Sequence, residues 1–166
     1  MKNITLRNAV LDDFSTYITF YKNAECQFLY TNCNSYKEFD ENSYELLKEM
    51  GIDIELAKED DNAIRKNFEF SLKRKSVFLI EVDKQVRGYI TISKSGKEVK
   101  IADMSIEKCV RNCENLSLIV SSLIKNVAKN VEIIWCIVCN EEAQYMFKEM
   151  GFYKNMCHLE KRISDE

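Results

Sequence analysis

The chain has no proline and contains only four glycines and one histidine in 166 residues. Because glycine is scarce, we expect a specific structural task at each of positions 51, 88, 96 and 151. The only histidine, His158, lies in the last predicted strand without a partner motif, which argues against a histidine-based catalytic triad.

The sequence also lacks an excess of charge of one sign and lacks long apolar runs. Its 24 basic and 27 acidic residues are mixed along the chain, so no basic field attracts nucleic acid or anionic lipid. No apolar run approaches the ~20 residues needed to cross a bilayer, and no signal peptide is recognisable. We therefore expect a cytoplasmic protein, folded as a single domain over residues 1–166, with no nucleic-acid or membrane partner.

The seven cysteines are more typical of reduced thiols than of a disulfide framework, because their number is odd and their positions are scattered. Cys136 and Cys139, taken with Cys109 and Cys113, formally suggest a zinc site with four thiolates. However, residues i and i+3 of a strand face opposite sides, so Cys136 and Cys139 do not share a metal while the strand continues. We expect buried thiols and no metal site.

The most specific pattern lies near the C-terminus. Residues 131–139 form an apolar run that predicts a buried strand, and a helix follows from Asn140. Asn140 is suited to cap that helix with its side-chain oxygen. Gly151 is placed to adopt the left-handed conformation after the last turn, which brings Phe152 back onto Phe147 in a Schellman motif.

The rest of the chain separates into a mainly helical N-terminal half and a half rich in strands. Apolar residues at helical spacing predict helices, and alternation or short apolar runs bounded by turn residues predict strands. The predicted helices begin at residue 12 or 13 and cover 36–50, 57–73 and 112–130, and the predicted strands cover 4–8, 77–82, 86–93, 97–106 and 153–163.

Several motifs together resemble the Gcn5-related N-acetyltransferase superfamily. The pattern Asn-x-x-Ala-x-x-x-aromatic-x-x-x-Gly-Phe, its C-terminal signature, is matched at Asn140, Ala143, Phe147, Gly151 and Phe152. A first strand ending in Leu-Arg-x-Ala and a Gly-Tyr pair on the second strand of the meander are also similar to the family. The resemblance covers almost the whole chain outside residues 24–75.

The resemblance implies an α/β (α+β) fold. It predicts a mixed, mostly antiparallel central sheet flanked by helices, with elements in the order β-α-α-β-β-β-α-β-α-β. Residues 24–75 are then the variable acceptor side, and residues 76–163 form the core on the cofactor side. The implied reaction is transfer of an acetyl group from acetyl-CoA, as cosubstrate, to a primary amine.

The family holds its cofactor mainly with backbone groups. Strand amides pair with the pantetheine arm, while a loop with the pattern Arg/Gln-x-x-Gly-x-Gly/Ala directs amides and a helix dipole at the pyrophosphate. In this sequence Glu114 and Leu116 stand at the two glycine positions of that loop. The residues that the resemblance assigns to the cofactor are Met104, Ser105, Ile106, Arg111, Asn112, Cys113, Glu114, Asn115, Leu116, Asn140 and Phe147.

For the chemistry, the resemblance points to Asp103 as the base, with Glu107 as the alternative. Asp103 can also be read as a hydrogen-bonding residue that supports the strand. Phe147 stands where many family members have a tyrosine as general acid, so that role is vacant here. The acceptor is expected to be a small-molecule or peptide amine, and the sequence leaves open whether the chain is a monomer or a homodimer.

Two other functions are suggested by the sequence, one by its departures from the family's motifs and one by its cysteines. A family member without the two glycines and the tyrosine can serve as a non-catalytic acyl-CoA-binding or interaction module. A cysteine-based zinc protein is the third, and least supported, interpretation.

Overall fold

The computed structural model describes residues 3–23, 25–29, 61–127, 129–138, 140–155 and 158–163. The predicted helix 36–50, the first residues of the helix predicted from 57, and Cys139 lie outside these residues.

Among the described residues, seven strands form one mixed sheet. They are β1 (Ile4–Asn8), β2 (Val77–Val82), β3 (Gln85–Ser95), β4 (Glu98–Ile106), β5 (Ile133–Cys136), β6 (Tyr153–Asn155) and β7 (His158–Arg162). The three consecutive strands β2, β3 and β4 pair antiparallel, which confirms the predicted meander. The sheet order is β1-β2-β3-β4-β5-β7-β6, and β4 pairs with β5 in parallel.

Helices cover both faces of this sheet. Two buried clusters separate the layers: one contains Tyr17, Phe68 and Tyr89 under the first two helices, and the other contains Leu116 and Phe147 under the last two. None of the helices within the described ranges is long and apolar enough to cross a bilayer. The predicted fold class is confirmed. The α-helices in the part of the chain that the structure describes are α1 (Phe14–Lys22), α2 (Asp61–Lys73), α3 (Cys113–Val127) and α4 (Glu141–Glu149).

Both predictions for strands near the C-terminus were too long. The strand predicted over 131–139 is limited to Ile133–Cys136. The single strand predicted over 153–163 was wrong, because this stretch forms β6 and β7, which pair antiparallel with Tyr153 opposite Glu160. On its other side β7 pairs with β5, and β5 is only four residues long. A single strand over 153–163 would therefore extend past β5 and leave some of its backbone groups unpaired. In the hairpin, β6 instead pairs with β7.

The predicted caps of α4 are confirmed. Oδ1 of Asn140 accepts a hydrogen bond of 3.0 Å from the second backbone amide of the helix. Gly151 has φ +87°, and its amide bonds to the carbonyl of Lys148, while the Phe152 amide bonds to the carbonyl of Phe147. The rings of Phe147 and Phe152 pack edge to face at 5.0 Å. This is the Schellman arrangement, with its hydrophobic contact.

Candidate active site where two strands separate

Strands β4 and β5 run side by side only as far as the pair Ile101 and Cys136, and β4 then continues alone to Ile106. Ala102 is an extra residue in β4, because Ile101 pairs with Ile92 and Asp103 pairs with Thr91. Such a bulge bends and twists a strand locally. The last residues of β4 consequently keep β3 on one side and have lost β5 on the other.

The edge of β4 that β5 leaves is covered by another part of the chain. We call residues Cys26–Leu29 the strap. Gln27 pairs antiparallel with Ser105. The Ile106 amide donates to the carbonyl of Cys26 at 2.8 Å, and the Phe28 amide donates to the carbonyl of Met104 at 3.1 Å. The strap thus adds a short strand to the free edge of β4.

Arg111 fixes the strap from the turn after β4. Its Nε donates to the carbonyl of Ile106 at 3.0 Å, and its Nη2 donates to the carbonyls of Glu25 at 2.6 Å and Gln27 at 3.4 Å. The guanidinium carbon lies 5.3 Å from the centre of the Phe28 ring. Burial lowers the pKa of Arg111, yet a guanidinium stays charged at any physiological pH. This buried cation is therefore directed at backbone carbonyls inside the protein.

Helix α4 holds the strap from the other side. Nδ2 of Asn140 donates to the carbonyl of Phe28 at 3.2 Å, in addition to the capping bond that its oxygen accepts. The ring of Phe28 lies 6.2 Å from the ring of Phe147, and both side chains are completely buried. Leu29 is completely buried as well. The strap is therefore part of the core between β4 and α4.

The loop from Arg111 to Leu116 begins α3. Oδ1 of Asn112 caps the helix by accepting from the Asn115 amide at 2.8 Å, and Nδ2 of Asn115 donates to the carbonyl of Val110 at 2.8 Å. The two side chains at the glycine positions diverge, because Glu114 is exposed and Leu116 is buried in the core. Cys113, the first helical residue, is partly exposed. The pyrophosphate role of this loop stays a prediction.

Asp103 lies immediately beyond the bulge and is bonded to a neighbouring strand. The Tyr89 hydroxyl donates to its Oδ2 at 2.5 Å, and the Met104 amide donates to its Oδ1 at 2.9 Å. Burial raises the pKa of Asp103, and the two hydrogen bonds oppose that rise. Burial also raises the pKa of Tyr89 well above the usual value of a phenol. A carboxyl with a raised pKa is a stronger base once it is ionised.

Other polar groups lie near Asp103 and Tyr89, under helix α1. Oγ of Ser105 donates to the carbonyl of Phe20 at 3.0 Å, and Nε2 of Gln27 donates to the carbonyl of Tyr21 at 3.0 Å. The Thr91 hydroxyl oxygen is buried and has no hydrogen-bond partner among the described residues. Thr91 is also the residue that pairs with Asp103 across the strands.

Sequence reasoning named Asp103 but missed Tyr89 and Thr91. They lie two residues apart on β3, and therefore on one face of the sheet. The signal that could have found them was the pairing of β3 with the strand that carries Asp103.

Glu107, the alternative base, is directed elsewhere. Its Oε2 accepts from Nη1 of Arg87 at 2.8 Å in a partly exposed ion pair. It also lines a cavity of about 330 Å³ between the end of α1 and the turn after β4. Of the two predicted carboxylates, only Asp103 is bonded to Tyr89.

No family model matches this sequence, and no curated protein matches it either. Solved structures, in contrast, match the fold along nearly the whole chain. PaiA N-acetyltransferase of Thermoplasma acidophilum, crystallised with coenzyme A, has a TM-score of 0.63 at 12% identity, covering 97% of this chain and 99% of its own. Ard1 of Thermoplasma volcanium has a TM-score of 0.60 at 15% identity, covering 98% and 99%. Aminoglycoside acetyltransferase AAC(6')-Ib, complexed with coenzyme A, has a TM-score of 0.61 at 12% identity, covering 96% and 95%.

These similarities extend over 96 to 98% of this chain. At identities of 12 to 15%, they concern the arrangement of the backbone. This chain therefore has the fold of the Gcn5-related N-acetyltransferases.

Proposed function

We propose that this chain is an acyl-CoA-dependent N-acyltransferase that transfers the acetyl group of acetyl-CoA to a primary amine by direct attack. The observation that carries the proposal is the position of Asp103, two residues beyond the last β4–β5 pair and bonded to Tyr89. The acetyltransferases with this fold that were crystallised with coenzyme A support the cosubstrate.

Asp103 is suited to the step that an amine acceptor requires. An alkylammonium ion has no lone pair with which to attack, so its proton must first move to a base. The burial that raises the pKa of Asp103 strengthens it as that base, and the Tyr89 hydroxyl holds the carboxylate in one orientation. Phe147 offers no hydroxyl as an acid, but a thiolate with a pKa of about 8.5 can leave without one.

Acetyl-CoA does not fit the described arrangement as it stands. Met104 and Ile106 are among the residues predicted to hold the cosubstrate, and the carbonyl of Met104 and the amide of Ile106 are both bonded to the strap. The guanidinium of Arg111 is buried against carbonyls rather than directed at a phosphate. Binding of the cosubstrate requires that the strap moves.

The acceptor is proposed to be a small-molecule or peptide amine that approaches from the side of α1 and α2. Aminoglycosides, the substrates named for one protein of this fold, are small-molecule amines. We also propose a reducing, cytoplasmic setting, since Cys26, Cys109, Cys113 and Cys136 are free thiols.

The test is release of coenzyme A thiol from acetyl-CoA in the presence of a panel of primary amines. Asp103→Asn should lower the rate by about 100-fold or more, because general-base catalysis typically contributes that much. Asp12→Asn is the matched control, since Asp12 is exposed and lies in the turn before α1. If no amine stimulates thiol release, the enzymatic proposal fails.

The strap favours a second candidate, a non-catalytic acyl-CoA-binding or interaction module. It fills the place predicted for the pantetheine arm with residues of the core, and Phe147 lacks the hydroxyl of the usual acid. Acetyl-CoA binding without turnover of any amine would support this candidate over the first.

A further inference from the structure

We propose that the strap is a removable internal substitute for the pantetheine arm, so that the described structure is the closed state of the site. Acyl-CoA then binds only to molecules in which residues 26–29 have left the edge of β4. This inference rests on the proposed use of acyl-CoA and adds how access to that site is controlled.

The first step is the identity of the hydrogen bonds. The strap offers the Cys26 carbonyl to the amide of Ile106 and the Phe28 amide to the carbonyl of Met104. An extended chain that carries amides can make the same two bonds, as peptides do when they add a strand to a sheet edge. Pantetheine contains two amide groups. Since the edge of β4 accommodates one chain at a time, strap and pantetheine exclude each other.

The second step is the position of Arg111. In the closed state its guanidinium bonds to one carbonyl of β4, at Ile106, and to two carbonyls of the residues beside or within the strap, at Glu25 and Gln27. Departure of the strap removes the last two acceptors. The guanidinium then keeps only the Ile106 carbonyl and the Glu142 carboxylate, whose Oε2 lies 3.9 Å from Nη1. A buried cation that has lost hydrogen-bond acceptors favours a new acceptor, and an anion is the strongest one. The movement that frees the β4 edge therefore also prepares Arg111 for a phosphate group.

The third step is how firmly the strap is held. Asn140 bonds to the Phe28 carbonyl, Gln27 bonds to the Tyr21 carbonyl, and the side chains of Phe28 and Leu29 are completely buried. Each of these contacts favours the closed state. The apparent affinity for acyl-CoA is then the intrinsic affinity reduced by the fraction of open molecules.

A disulfide tests whether the strap must leave. Gln27 and Ser105 are opposite each other in an antiparallel bridge whose neighbours carry the hydrogen bonds, which is the closer type of pair. That spacing suits a disulfide. The double variant Gln27→Cys with Ser105→Cys is oxidised, peptide mapping verifies the 27–105 link, and acetyl-CoA binding is measured by calorimetry before and after reduction. We expect binding only after reduction.

Hydrogen exchange on the unmodified protein provides a second measurement. Ligands usually slow the exchange of the amides they cover. Here saturating acetyl-CoA should instead accelerate exchange of the peptide containing Phe28, by about tenfold or more, because opening removes its protection. The amide of Ile106 should stay protected in both states, first by the strap and then by the ligand.

A protein whose strap is held less firmly should bind acetyl-CoA more tightly. Gln27→Ala removes the bond to the Tyr21 carbonyl and should tighten acetyl-CoA binding about fivefold, since one hydrogen bond shifts the balance between closed and open states by roughly that factor. Asn126→Ala is the control, because Nδ2 of Asn126 also donates to a backbone carbonyl, that of Ser122, but within helix α3 and not to the strap or to α1.

The outcomes separate the two proposals. Binding by the oxidised double variant, or unchanged exchange at Phe28 in a protein that does bind acetyl-CoA, overturns the strap mechanism and leaves the proposed function intact. If neither the natural protein nor Gln27→Ala binds acetyl-CoA, both proposals fail. Loss of binding on oxidation, recovery on reduction and faster exchange at Phe28 support the strap mechanism.

Discussion

The Tyr89 hydroxyl and Oδ2 of Asp103 are 2.5 Å apart, joined across strands β3 and β4 in a diagonal contact. Tyr89 pairs directly with Ser105, so its side chain reaches past its own partner to meet the carboxylate. The ring of Tyr89 is completely buried and packs on that of Tyr17 at 4.5 Å, which fixes the direction of the hydroxyl. The hydrogen bond orients the proposed base, and the packing of Tyr89 on Tyr17 connects this pair to helix α1.

Asp103→Asn is expected to separate activity from stability. Because the pKa of Asp103 is raised above the ordinary aspartate value of 3.8, the folded state binds its proton more tightly than the unfolded state does. The resulting contribution to stability is present below pH 3.8 and is lost as the pH rises through the raised value. At pH 8 the asparagine variant should therefore unfold at the same temperature as the parent or higher, while its thiol release falls.

This prediction is checked by thermal unfolding of both proteins at pH 5 and pH 8, with Asp12→Asn as the control. The variant should gain stability relative to the parent as the pH rises. A variant that is clearly less stable than the parent at pH 8 would show that the ionised carboxylate of Asp103 supports the fold.

Tyr89→Phe should move the pH dependence of the reaction. The hydroxyl lowers the pKa of Asp103, so its loss allows burial to raise that pKa further. Thiol release should then require a higher pH to reach half its maximum. Loss of a hydrogen bond to a charged group should also cost about 1.5–3 kcal/mol of unfolding free energy.

The control for that change is Tyr145→Phe, because Tyr145 lies on α4 and is 61% exposed. It should alter neither the pH profile nor the stability. An unchanged profile in Tyr89→Phe would remove Asp103 from the proton-transfer step.

The capped helix α4 and the meander could be predicted because the residues that determine them are close together in sequence. Asn140, Gly151 and Phe152 act within one helix and its two ends, and the strands of the meander follow one another in sequence. The strap could not be predicted in this way. Gln27 is paired with Ser105 by backbone hydrogen bonds of the neighbouring residues. Backbone amides and carbonyls are common to nearly all residue types, so no side-chain pattern in the sequence indicates this pairing.

Arg111 shows the same limit for the candidate site. The resemblance named the residue, but a position in sequence does not fix whether a long cation turns to solvent or inward. Here three backbone carbonyls inside the protein accept from Nε and Nη2, and Nη1 lies 3.9 Å from the Glu142 carboxylate. The contact between Tyr89 and Asp103 was missed for a related reason, since it requires the register of two strands and the bulge at Ala102.

Gly88→Ala is expected to disrupt the sheet at the candidate site. A Cβ atom at position 88 would lie 2.2 Å from the carbonyl oxygen of Ser105 and 2.9 Å from Cα of Ile106, both in the backbone of β4. Relief of this clash would push β4 away from β3 where β4 carries the proposed site. The free energy of unfolding should fall by about 3 kcal/mol, at the upper end of overpacking costs.

Gly96→Ala is the matched control, with the same added methyl group. A Cβ atom at Gly96 meets nothing within 4 Å, but φ is +58°, so only backbone strain is introduced. That strain should cost about 1–2 kcal/mol. Equal destabilisation by the two variants in chemical denaturation would contradict the close approach of β3 and β4 at Gly88.

Asn140 has two tasks, and different substitutions should divide them. Its oxygen caps α4, and its Nδ2 bonds to the carbonyl of Phe28 in the strap. Asn140→Ala loses both bonds. The free energy of unfolding should fall by about 1 kcal/mol for the lost cap and by a further 1–3 kcal/mol because the buried Phe28 carbonyl loses its hydrogen-bond donor. Asn140→Ser keeps a capping oxygen but has a side chain too short to replace the bond to the strap.

Thermal unfolding and hydrogen exchange together distinguish these tasks. The alanine variant should be less stable than the serine variant, whereas in both the peptide containing Phe28 should exchange faster than in the parent without any ligand, because both weaken the strap. Gln144→Ala is the control, since Nε2 of Gln144 bonds to the Val138 carbonyl, beside α4 but outside the strap. Faster exchange of Phe28 in Gln144→Ala would mean that loosening α4 in general opens the site, and would remove Asn140 from the control of the strap.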